Sequence, residues 1–178
     1  KKNNKKKKKK DYYILLVNDS VFKIKQEGNV LYYSGKKYSG EDVSEKDVRE
    51  LFCLDEDQDF EIIDPFIAMA KQKYHGLRIM KQLPYDATIA FMISQMNNIP
   101  RITQLSNELL KNASRKIDFE GKEYRLFPLP EELPSEEELR NLKFGYRAKY
   151  ISNLRHAKFL FEKIEKKNYD DAKKDLMT

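Results

Sequence analysis

LPYDATIAFMISQMNNIPRITQL, residues 83–105, is the stretch on which the reading of the fold turns. It predicts a buried helix, a tight polar elbow and a second helix that begins on a proline. Pro84 suits a first helical turn, where its missing N–H has no partner to lose. Ala87, Ile89, Ala90, Phe91, Met92 and Ile93 are apolar around most of the helix circumference. Asn97-Asn98 breaks that run, and Pro100 pre-sets the backbone for a new helix with Arg101 in its first turn. The helix dipole disfavours a cation at that end, so an arginine there points to a partner outside the helix.

Upstream of this stretch the pattern is β. YYILLV (12–17), VFKIK (21–25) and VLYYSG (30–35) are short aromatic and β-branched runs. The breaks at Asn18-Asp19-Ser20 and Glu27-Gly28-Asn29 make them an antiparallel meander, with strand signals ending near Gly40. Ser44 and Asp47 form a capping box for a helix through VRELFCL, and Asp64-Pro65 opens another that Gly76 ends. Downstream, residues 117–130 read as an extended excursion with a turn at Glu120-Gly121. Ser135 and Glu138 cap a short helix expected to stop at Gly145. A single amphipathic helix is expected from about Tyr146 to Ile164, with Tyr150, Leu154, Ala157, Leu160, Phe161 and Ile164 on its apolar side. Asn168 and Asp171 cap a last helix, DAKKDLM. The fold class is therefore α+β.

The net charge of +6 misleads about the folded part. Residues 1–10, KKNNKKKKKK, hold eight lysines, so the rest of the chain carries a net −2. That run is expected to be disordered, because like charges repel and nothing in it can be buried. The single cysteine, Cys53, excludes an internal disulfide framework, fits a reducing compartment and reads as a small core residue on a helix. No apolar run is long enough to span a bilayer, and no secretory signal precedes the first strand. The chain begins on Lys and stops on LMT just after a helical segment, which reads as a piece of a longer protein. His75, His156 and Cys53 are dispersed, so no metal site is expected, and the scattered glycines form no phosphate loop. No Ser-His or Cys-His constellation supports nucleophilic catalysis.

Two polar clusters remain, Asn97-Asn98-Ile99-Pro100-Arg101 and Phe144-Gly145-Tyr146-Arg147-Ala148-Lys149-Tyr150. Each places polar or aromatic groups at a helix N-terminus just after a break. In one reading both are capped helix connections whose arginines pair with local carboxylates. In the other the helix N-termini face a nucleic acid, with backbone N–H groups on phosphates, arginines on bases and tyrosine stacked.

Taken together, LPYDATIAFMISQMNNIPRI and LRNLKFGYRAKYI resemble the paired signatures of the eukaryotic-archaeal type of 8-oxoguanine DNA glycosylase, of the helix-hairpin-helix superfamily. VRELFCLDEDQDF, YHGLRIMKQLP, YRLFPLPEEL and NYDDAKKDLM fit the same pattern, so the resemblance covers about residues 12–178. With the Lys-rich segment at 1–10 set apart by its composition, it implies a TBP-like antiparallel sheet with helices at 11–82, and the first half of an all-helical glycosylase domain at 83–178. It further implies base-excision repair by a glycosylase/AP lyase that flips oxidised guanine out of duplex DNA and attacks the sugar with a lysine amine. Arg101 and Arg147 would hydrogen-bond the orphaned cytosine, Tyr146 would be the wedge, and Asn97 and Asn98 would belong to the same DNA-contacting elbow. No cofactor, metal or membrane is implied. The partner is double-stranded DNA containing oxidised guanine, and the full-length form is expected to be monomeric and intracellular, in the nucleus or with the nucleoid.

The chain departs from the pattern in three places. Met96 stands where the family has the first asparagine of the elbow, and a methionine fills space without donating to a base edge. The segment that helps bind the damaged base does not precede Tyr12, and the catalytic lysine and aspartate would follow Thr178. No catalytic residue is thus assigned within the chain. The alternative is a non-catalytic damaged-DNA-binding fragment or split subunit, and uncovered apolar surface is expected on the segment alone.

Overall fold

The computed structural model describes residues 12–56, 62–111 and 113–176. The lysine run expected to be unstructured, Asp57 and Asn112 lie outside the described residues. The meander is formed by β1 (Tyr13–Val17), β2 (Ser20–Glu27) and β3 (Val30–Lys37), antiparallel and in the order β1-β2-β3. Its first turn carries Asn18 and Asp19 at φ 51° and 60°, the left-handed pair that matches the twist of a two-residue hairpin.

Alternation along the strands gives the sheet two apolar faces. Leu15, Phe22 and Ile24 pack with Val43, and with Val48 and Leu51 of α1 (Glu45–Leu51). Ile14 and Val21 face the other way, onto Ile117 and Leu126. These belong to the region expected as an extended excursion, which is in fact a second hairpin, β4 (Lys116–Phe119) and β5 (Lys122–Arg125), turning at Glu120 and Gly121 with φ 51° and 75°. With four residues per strand it is too short for its alternation to declare itself.

The capping box at α1 is present in full: Ser44 Oγ accepts from the Asp47 N–H at 3.3 Å and the Ser44 N–H donates to Asp47 at 2.7 Å. Burial works against ionisation of Asp47, but hydrogen bonds from Lys37 and Ser44 hold its carboxyl down at about 2. The helix ends earlier than expected. Cys53 follows it in a left-handed turn at φ 50°, half-buried, and is not a core residue of the helix.

The helical part is built from α2 (Pro65–Lys73), α3 (Pro84–Ser94), α4 (Ile99–Lys111), α5 (Glu136–Asn141), α6 (Arg147–Asn153), α7 (Lys158–Ile164) and α8 (Tyr169–Leu176). Its core joins Ile89 and Ile93 of α3, Leu105 and Leu109 of α4, Leu139 of α5, Phe144, Ile151 of α6 and Phe161 of α7. The long helix expected over 146–164 is broken by a 3-10 turn at Leu154–His156. Ser152 Oγ donates back to the Lys149 carbonyl at 3.0 Å, a local bond that competes with the helical ladder. Past the break, Phe161 packs edge-on against Tyr85 with ring centroids 5.5 Å apart. Tyr150, expected on the apolar side, is exposed.

The turn of the first hairpin fixes where α3 begins. Asn18 Nδ2 donates to the Lys81 carbonyl at 3.0 Å, and Asn18 Oδ1 accepts from the Leu83 N–H at 2.8 Å. Asp19 accepts from Arg115 Nη1 at 2.6 Å, while Arg115 Nη2 donates to the Phe127 carbonyl at 2.9 Å. One two-residue turn thereby ties the sheet to the start of α3 and to the base of the second hairpin. No helix among the described residues is long and apolar enough to cross a membrane.

Candidate nucleic-acid interface

The elbow between α3 and α4 is shaped by its own asparagines. Asn97 Nδ2 donates to the Ile93 carbonyl at 2.7 Å and so closes the C-terminal end of α3. Asn98 Oδ1 accepts from the Arg101 N–H at 3.0 Å and caps α4, which begins at Ile99, one residue before Pro100. Each side-chain amide thus uses one of its two polar atoms on backbone. The capping role of Asn98 was open to sequence reading, since Asn directly before a helix is a favoured cap. Between the helices Met96 is left-handed at φ 46° and 94% exposed, an uncommon pairing for a long apolar residue.

The second cluster lies against the first. Lys143 and Gly145 both have positive φ, 69° and 63°, which turns the chain sharply between α5 and α6 and presents Tyr146 half-exposed. Lys143 takes the left-handed position two residues before Gly145, where the helix was expected to stop. Phe144 between them is fully buried in the helical core and anchors the corner. Truncating such a phenylalanine costs about 3–5 kcal/mol.

Two arginines cross between the clusters in opposite directions. Arg101, on α4, donates through Nη2 to the Lys143 carbonyl at 2.5 Å and through Nη1 to Gln104 at 2.8 Å. Arg147, on α6, donates through Nη2 to the Gln95 carbonyl. It is only 8% exposed, and its guanidinium lies 4.5 Å over the ring of Tyr146. The carboxylate partners of the capped-connection reading are not used by either arginine among the described residues; neutral oxygens take their place. A carbonyl fixes a guanidinium without cancelling its charge, so both groups stay cationic toward an outside ligand. Arg147 Nε is moreover a buried donor with no partner, and Arg147 lines a pocket of about 350 Å³ with Met92, Gln95, Tyr146 and Tyr150. A buried orphan donor calls for an acceptor that the free chain does not supply.

Among the described residues no group of His, Cys, Asp or Glu could hold a metal ion. Sequence reasoning placed all five site residues, Asn97, Asn98, Arg101, Tyr146 and Arg147, in two clusters, and the structure brings the clusters together. It gave no site role to Met92 and Gln95, which lie within the first quoted stretch, or to Tyr150 of the second cluster; all three complete the pocket wall.

No family model matches the chain. An N-glycosylase/DNA lyase of Saccharomyces cerevisiae is 47% identical over 88 residues, covering 47% of this chain and 23% of that protein. N-glycosylase/DNA lyase OGG1 of Arabidopsis thaliana is 38% identical over 96 residues, covering 53% and 26%. Among solved structures, that of MBOgg1 in complex with a low affinity DNA ligand superposes with a TM-score of 0.75 at 27% identity, over 93% of this chain and 60% of that one. A Clostridium acetobutylicum 8-oxoguanine glycosylase/lyase, in complex with DNA containing cytosine opposite 8-oxoguanine, superposes with a TM-score of 0.73 over the same shares. At 23% identity it speaks for the fold alone. The chain spans about a quarter of the length of the curated relatives it matches. Over about half of its sequence the chain is similar to N-glycosylase/DNA lyases, and over 93% of its length its fold is similar to that of MBOgg1.

Proposed function

We propose that this chain supplies the orphan-base-reading and wedge elements of a base-excision repair glycosylase/AP lyase that acts on 8-oxoguanine in duplex DNA by base flipping. The observation that carries the reading is the reciprocal brace of Arg101 on the Lys143 carbonyl and Arg147 on the Gln95 carbonyl. It holds two cationic forks and a half-exposed tyrosine at one corner of the molecule. A base turned out of a duplex leaves a gap and an unpaired partner. Tyr146, backed by the Arg147 guanidinium, is an aromatic plate of the size that fills such a gap. An orphaned cytosine offers acceptors on its pairing edge, which match the N–H groups the arginines have left over. Asn97 and Asn98 serve this reading by setting the elbow's backbone through Asn97 Nδ2 and Asn98 Oδ1.

The net charge of −2 outside the lysine run argues against general affinity for DNA and for a localised contact. Because no lysine here matches the family's nucleophile, the chain alone binds without cleaving; a damaged-DNA-binding fragment or split subunit is the second form of the same reading. The test is affinity at fixed salt for a duplex with 8-oxoguanine opposite cytosine against plain duplex. A preference for the damaged duplex that Arg101→Ala with Arg147→Ala removes is expected. Equal affinity for both duplexes overturns the reading.

A further inference from the structure

Three helices of this molecule begin with acids, and two that meet at one corner begin with cations. A helix dipole favours carboxylates in the first turn. Helices α1, α5 and α8 comply, with Glu45 and Asp47, Glu136 to Glu138, and Asp170 and Asp171. The first turns of α4 and α6 hold no acidic residue. They carry Arg101 in one and Arg147 and Lys149 in the other. Helix α7 also opens on a lysine, but Lys158 is offset there by Glu131 at 3.3 Å. Among the described residues no carboxylate offsets Arg101, Lys143, Arg147 or Lys149 in this way. Three residues before Lys143, by contrast, Arg140 is held by Glu136 at 2.6 Å. Charge is neutralised within the chain up to the corner and left open at it.

The four cations divide by placement. On α6, Arg147, Ala148 and Ile151 are buried, whereas Tyr146, Lys149 and Tyr150, at i, i+3 and i+4, share the exposed face. Tyr146 and Tyr150 both line the pocket beside Gln95. Lys143, three positions before Tyr146, is exposed as well, and the Arg101 bond to its carbonyl fixes its left-handed backbone. The arginines are planar forks braced on carbonyls; the lysines are solvated point charges on flexible stems. A point charge suits a phosphate oxygen, and phosphate contacts position a protein on a duplex without reading its sequence. We propose that Lys143 and Lys149 bind backbone phosphates of duplex DNA beside the Tyr146 wedge and so set the damage-independent part of the chain's affinity. The inference rests on this corner being the DNA contact, and it places phosphate binding on two lysine side chains instead of on helix backbone N–H groups.

The test is the affinity of the 178-residue chain across a salt series, for plain duplex and for duplex with 8-oxoguanine opposite cytosine. Lys143→Gln with Lys149→Gln is expected to lower the slope of log affinity against log salt by about 0.9 for each lysine. Both duplexes should weaken by the same factor, leaving their ratio unchanged. The lysine run at 1–10 is common to every variant, so the difference between slopes is the readout. Lys143→Arg with Lys149→Arg keeps the charge and should hold the parent slope. Lys36→Gln with Lys46→Gln removes the same charge from β3 and α1 and should leave the slope alone. Both corner lysines are exposed, so their glutamine variant should melt like the parent. An unchanged slope, an equal fall in the Lys36 and Lys46 variant, or a shifted ratio between the duplexes would each overturn the proposal. The ratio itself reports on Arg101 and Arg147. A parent ratio of one therefore removes the base-reading role of the arginines, while the slope difference separately decides the lysines.

Discussion

Arg147 donates to the main-chain carbonyl of Gln95, 52 positions earlier in the chain, at the residue that leads into the left-handed turn at Met96. The arginine proposed to face DNA is thereby also the strut of the elbow. Arg147→Lys keeps the charge but loses the planar fork that can hold a carbonyl and still present further donors. The substitution should lower the preference for damaged over plain duplex about tenfold, or about 1.4 kcal/mol. It should also destabilise the free chain by about 1–2 kcal/mol through the lost buried hydrogen bond. A normal melt with unchanged preference would remove Arg147 from the interface.

Met96 separates stability from specificity. It is almost wholly exposed, so its replacement removes no packing, and its φ of 46° suits asparagine better than methionine. Met96→Asn should therefore leave the melting temperature unchanged or raise it slightly. Under the proposed reading it adds a donor and acceptor at the gap, and preference for cytosine over adenine opposite the lesion should rise several-fold. Competition between the two duplexes at one salt concentration measures it. Identical ratios for the parent chain and the Met96→Asn variant would place this residue outside the gap.

Much of this was legible in the sequence where side chains act on nearby backbone. The capping pairs Ser44–Asp47, Ser135–Glu138 and Asn168–Asp171 all form as their spacing required. The meander was legible because its turns and its alternation agree. The second hairpin was not, since its strands are stabilised by packing on Val21, a contact made almost a hundred residues away. Nor was the break at Leu154–His156, where neither Gly nor Pro marks the site. The two clusters could be named, but the arginine braces between them depend on tertiary placement and leave no local pattern. Cys53 was misplaced because helical propensity continues past the point where the chain turns left-handed.

Asp86 gives the molecule a pH signature. Burial, and then the like charge of Asp19, push its carboxyl up to about 6, with Arg115 working in the opposite direction. The three groups meet where the first hairpin docks on the helical part, beside a cavity of about 160 Å³ lined by Asp19, Asp86 and Phe127. Because the folded value lies above the 3.8 of an unhindered aspartate, the stabilisation is fully present below about pH 4 and is lost as pH rises through about 6. Asp86→Asn should flatten that dependence and make the chain more stable at pH 7 by on the order of 1–2 kcal/mol after solvent screening. Denaturant melts at pH 4 and pH 7 decide it; equal losses of stability in both proteins would show that Asp86 does not titrate in this window.

Gly35 is the position where the sheet has no room for a side chain. It is buried on β3 opposite Phe22, and the Val43 N–H donates to its carbonyl at 3.2 Å as the chain crosses toward α1. A Cβ on this residue would run into the Val21 carbonyl oxygen and come within 2.9 Å of Val43 Cγ2. The first obstacle is backbone of the neighbouring strand and cannot rotate away, so β3 itself has to shift. Gly35→Ala should destabilise the chain by about 1–3 kcal/mol, toward the upper end because the alanine gains no new apolar contact in exchange. The cost falls on the packing of Phe22 against Val43 and Val48, far from the arginine brace. Preference for damaged duplex should therefore survive at temperatures where the variant remains folded. An alanine variant that melts like the parent would show that β3 yields more freely than its register implies.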